Sequence, residues 1–136
     1  MYEQLVEARL LRELSENGGD RKTIELFAEQ AQVWLEEVQR FLALPFWTKP
    51  YESMKAVVTR QAALSAAVAT TLVHAKTEEQ RKAVREVARW TAEVTNGMGG
   101  ATIDNTIALL KKHYAKKHLA AAQAAVARLV ALVAEG

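Results

Sequence analysis

The stretch Met54–Lys76, MKAVVTRQAALSAAVATTLVHAK, decides how the rest of the chain is read. Between Arg60 and Lys76 no residue carries a full charge at neutral pH, and Ala, Ser and Thr fill most positions. A helix standing in water seldom runs so far without Lys or Glu. The stretch therefore reads as a central helix covered on several sides. Its expected inner face holds Met54, Val57, Val58, Gln61, Leu64, Ser65, Val68, Thr71, Leu72 and Ala75. Ser65 and Thr71 can satisfy their hydroxyls on a carbonyl one turn back along the helix. Gln61 cannot, and burial would oblige its amide to find a partner.

On the N-terminal side, Arg21–Leu44 has the clearest periodicity. Ile24, Phe27, Ala28, Ala31, Trp34, Leu35, Val38, Phe41 and Leu42 share an arc of about 140° at about 100° per residue. Glu25, Glu29, Glu36, Glu37 and Arg40 fall outside that arc. Leu26, Val33 and Leu44 form a thinner line on the other side, either scattered surface residues or a second packing face. An earlier helix is expected over Tyr2–Glu16, with Tyr2, Val6, Leu10 and Leu14 on one face. Asn17-Gly18-Gly19 ends it, and Asp20 caps the next. The corner Leu44–Tyr51 holds Pro45, Phe46, Trp47 and Pro50. Its aromatics form either a plug at the bundle end or a knuckle for a partner.

On the C-terminal side, Thr77-Glu78-Glu79-Gln80 reads as a capping box. It opens a helix over Glu78–Asn96 whose core stripe is Val84, Val87, Ala88, Thr91 and Val94, with Trp90 at its margin. Glu78 with Lys82, and Arg89 with Glu93, have the spacing of helical ion pairs. Asn96-Gly97-Met98-Gly99-Gly100 reads as a linker, since its spacing fits no phosphate-binding loop and no strand precedes it. Thr102 then caps a last helix over Ile103–Glu135, about 50 Å long at about 1.5 Å per residue. From Leu119 to Ala134 only Arg128 is charged, and apolar residues spread round most of the helix. That half must either fold back after a kink near His118 or be buried by another chain.

Half of the 136 residues are apolar and a quarter charged, a globular composition sufficient for one domain spanning 1–136. With no cysteine, disulfides, thiolate metal sites and thiol nucleophiles are excluded. A net charge of +2 falls far short of a dedicated nucleic-acid binder. The N-terminus lacks a signal-peptide core, and no apolar run reaches the roughly 18–20 residues that span a bilayer. The chain thus reads as soluble and cytoplasmic, without a transmembrane segment.

Chemistry is sparse. His113 and His118 lie about 140° apart on a helix and cannot chelate one metal from one face. Neither a Glu-x-x-His nor a His-Glu-x-x-His pair occurs, so the ligands of di-iron bundles and of zinc proteases are missing. No metal or other cofactor is expected, and no catalytic residue is assigned. The acids lie on polar faces beside Lys or Arg, as solvated surfaces do, and Arg60 and Gln61 are the residues to suspect in any enzymatic role.

The expected fold is all-α, an antiparallel bundle of four or five helices with short turns. The expected function is a non-enzymatic interaction module, homo-oligomeric through the apolar half 119–134. A second reading is a bundle that binds or senses a small apolar ligand, with Arg60, Gln61, Ser65 and Thr71 on the central helix and Trp34 and Trp90 as walls. A third is an anionic partner, such as nucleic acid, held through Lys112, Lys116 and Lys117 in the basic run Lys111–His118.

Overall fold

The computed structural model describes the backbone of residues 20–44, 51–98 and 105–135, and the side chains of these except 20, 21, 51, 97, 98, 105–115 and 117. Within them the protein is an all-α bundle of four helices: α1 Asp20–Ala43, α2 Tyr51–His74, α3 Glu78–Met98 and α4 Asn105–Glu135. The expected helix over Tyr2–Glu16, the aromatic corner 45–50 and the cap at Thr102 lie outside the described residues.

The links 44–50, 75–77 and 99–104 are too short for anything but reversal between neighbours. α1 packs on α2 and α4, and α3 packs on α2 and α4; α1 also touches α3 across the bundle. The core lies between these four. Ile24, Phe27, Ala31, Trp34, Val38 and Phe41 of α1 are buried, as the periodicity of that segment requires. Trp34, Phe27 and Phe41 are its largest fully buried side chains, each contributing about 1.5–3 kcal/mol over an exposed position. From α3 come Val84, Val87, Thr91 and Val94, and from α4 Ala122, Ala125, Val126 and Leu129.

The capping box forms. The Gln80 amide donates to Thr77 Oγ1 at 3.1 Å, and Gln80 Oε1 reaches back to accept the Lys76 amide at 2.8 Å. Two backbone donors at the start of α3 are thereby satisfied, which is why the link from α2 can be so short.

Several local expectations are corrected. α3 continues through Asn96 to Met98, so the linker begins only after that point. Glu78 pairs with Arg81 at 2.7 Å rather than with Lys82, and the Arg89 guanidinium lies 4.8 Å over the Trp90 ring rather than on Glu93. α4 runs unbroken past His118, and its apolar half packs on this same chain. Leu26 and Leu44 are half-buried against the core rather than scattered on the surface. Glu37, placed by periodicity on the solvated side, is 6% exposed.

The largest correction concerns α2. Met54, Val57, Leu64, Thr71 and Ala75 are buried as expected, but so are Thr59, Ala63 and Ala67, while Ser65 is exposed. The inner face is turned toward the alanines, because small side chains let a neighbouring helix approach closely where branched ones would hold it off.

Two segments, Glu52–His74 and His118–Glu135, are long and apolar enough to cross a bilayer by length and composition, which corrects the reading that none is. α2 carries part of the core, and core helices of bundles meet the same test.

Candidate interaction surface

The residues suspected from sequence fall into separate places. Arg60 sits at the α1–α2 seam, where its Nε donates to Glu37 Oε1 at 3.0 Å and its Nη1 donates to Gln30 Oε1. Gln61 is half-buried on the next position of the same helix. Thr71 is buried, and its hydroxyl donates to the Ala67 carbonyl at 2.8 Å, the local solution open to a helical threonine. Trp34 is buried in the core, with Nε1 donating to Thr95 Oγ1 at 3.2 Å. Trp90 is half-buried on α3; its Nε1 donates to Glu86 Oε2 at 3.1 Å, and its ring centroid lies 5.9 Å from that of His118. These side chains line neither of the cavities bounded by described residues alone. Of the basic run, Lys116 is exposed, whereas the side chains of Lys112 and Lys117 lie outside the described residues.

The Glu37 carboxyl is raised above the ordinary glutamate range, chiefly because burial penalises its charge; the hydrogen bond and charge of Arg60 pull the other way. Sequence reasoning missed this partner of Arg60, although one signal was present. Gln30 and Glu37 are seven apart, and so share a face at the edge of the apolar arc.

A different surface emerges between α1 and α4. A cavity of about 360 Å³ is lined by Gln32 and Leu35 of α1 and by Gln123, Val126, Ala127, Val130, Ala131 and Ala134 of α4. A second, of about 220 Å³, continues it toward the start of α1, between Glu25, Ala28, Glu29 and Val130, Val133, Ala134. Together they make an open groove. Low α1 numbers face high α4 numbers along it, so the two helices are antiparallel.

The α4 wall of the groove passes into an outward face of Ala120, Ala124, Ala127, Ala131 and Ala134, all exposed. At about 100° per residue these alanines span about 80° of the helix. Gln123 borders them on the groove side and Arg128 on the other, both exposed. Along the outer rim on α1, Glu29 and Glu36 are exposed and Glu25 is half-buried, with the exposed cations Lys22 and Arg40 toward its two ends. Sequence reasoning found the apolarity of 119–134 but not its division into an inner side of Ala122, Ala125, Val126 and Leu129 and an outer side of exposed alanines.

Among the described residues no group of three or more His, Asp or Glu could hold a metal ion. Comparison with protein-family models, with curated proteins and with solved structures found no match.

Proposed function

We propose that this chain is a non-enzymatic interaction module that associates with itself through the α1–α4 face. The observation that carries the reading is the open apolar groove between those helices, floored by Leu35, Val126 and Val130. A small-molecule site encloses most of its ligand and places a few convergent polar groups around it. This groove is open along its length, and the polar side chains lining its wider part are the amides of Gln32 and Gln123. Such a shape suits the apolar face of a helix.

Ala122, Val126 and Leu129 of the apolar half are buried within this chain, so the outward alanine side and the groove beside it support the reading. Truncation after His118 would remove core along with surface, and a surface substitution is the cleaner test. Native mass spectrometry of the purified protein at two concentrations should give a dimer that grows with concentration and is lost in Ala127→Glu. A monomer at both concentrations overturns the proposal. A monomer carrying a small-molecule adduct overturns it in favour of ligand binding.

A further inference from the structure

We infer that the occupant of the α1–α4 groove is α4 of a second copy, running antiparallel to the first, with Lys116 of each copy set against Glu25 and Glu29 of the other. The inference rests on the self-association reading and adds its geometry. Homodimers are most often two-fold symmetric, so the same patch must fit itself.

Three features of the patch meet that condition. From Leu119 to Ala134 the helix has one charged residue, Arg128, on the side away from the groove. Two copies can therefore close without burying like charges. Ala120, Ala127 and Ala134 recur every seven residues on the outward face, the spacing of a seam between paired helices, and their small side chains permit close approach.

Charge then selects direction. Lys116 is exposed and falls on the same side of α4 as Ala120, Ala127 and Ala134. It lies at the opposite end of the alanine face from Ala134, which lines the groove beside Glu25 and Glu29. Antiparallel pairing centred on Ala127 sets Ala120 level with Ala134 of the partner and Lys116 about one helical turn beyond it, on the side of the partner's Glu25 and the partner's Glu29. Parallel pairing would leave both lysines beside each other. The groove's amides are answered too, because the partner's Gln123 comes to within about one helical turn, about 5.4 Å, of Gln32 along the groove.

The chain has no cysteine, so single cysteines report the pairing cleanly. Ala127→Cys, on the two-fold axis, should crosslink to itself under mild oxidation. Ala120→Cys and Ala134→Cys should each fail to do so alone and should crosslink when mixed. Lys116→Glu should weaken the dimer about tenfold, and combining it with Glu25→Lys and Glu29→Lys should restore it. Circular dichroism establishes that each variant is folded. A stable dimer in which Ala120→Cys crosslinks to itself overturns the antiparallel geometry and leaves self-association standing. A protein that sediments as a monomer at every concentration overturns both.

Discussion

The Arg60 guanidinium donates through Nε to Glu37 Oε1 at 3.0 Å across the α1–α2 seam, and the same group reaches Gln30 one heptad earlier on α1. Arg60 is the one full charge in the inner part of α2, and two α1 side chains hold it in place. The Glu37 side chain is 7% exposed and that of Arg60 24%, so the pair is largely withdrawn from water. Burial of this kind costs much of what the attraction returns. Its value lies in register: sliding α2 along α1 by one turn would strand a buried carboxylate.

Removing one partner should therefore hurt more than removing both. Arg60→Met or Glu37→Met alone should destabilise the protein by about 2–3 kcal/mol, the lower part of the range for broken buried pairs because Arg60 retains some solvent. The double variant should recover most of that loss. Urea denaturation of all four proteins gives the coupling, and additive losses would mean the pair is not energetically linked.

Glu37 also predicts a pH dependence. Its pKa is raised in the folded protein by desolvation, so the folded state favours the protonated form more than the unfolded chain does. The stability that Glu37 contributes through this shift is complete below its unfolded pKa and is lost as pH rises through the folded value. The stability difference between Glu37→Gln and the parent should therefore shift in favour of the variant as pH rises above the ordinary glutamate range. Thermal melts from there to neutrality should show that shift; a shift toward the parent would contradict the assignment.

Thr59 is buried, and its Oγ1 has no hydrogen-bond partner among the described residues. An isosteric Thr59→Val substitution removes a desolvated hydroxyl without opening a cavity. It should raise stability by about 1 kcal/mol. A destabilised Thr59→Val variant would mean that the hydroxyl is satisfied in solution.

Trp34 and Thr95 separate packing from hydrogen bonding. Thr95→Val removes the acceptor of the 3.2 Å bond from Trp34 Nε1 and should cost about 1–2 kcal/mol, mostly as an unpaired indole N–H. Trp34→Ala leaves a cavity at a fully buried position and should cost at least about 3 kcal/mol. Chemical denaturation monitored by circular dichroism compares the two, and equal losses would refute the ranking.

Most helix positions could be read directly. The arc on α1, the stripe on α3 and the cap at Thr77 and Gln80 depend on neighbours within a turn or two, which the sequence displays in order. α2 was harder to orient because its periodicity is weak. With alanine, serine and threonine on every side, hydrophobicity does not choose between the face centred on Gln61 and Val68 and one turned toward Ala63 and Ala67. Glu37 was misplaced for a related reason. A carboxylate at the edge of an apolar arc reads as solvated until its partner is found, and that partner is twenty-three residues away.

By itself, then, the sequence determined the class of fold, the principal helices and the faces of α1 and α3, since helical periodicity and capping are local properties. Tertiary structure alone decided which side of α2 turns inward, that Arg60 meets Glu37, and that α4 divides into a buried side of Ala122, Ala125, Val126 and Leu129 and an outer alanine side beside a groove. Each of those outcomes depends on where another helix lies, and side-chain burial is set by that neighbour's position rather than by the residue's own pattern.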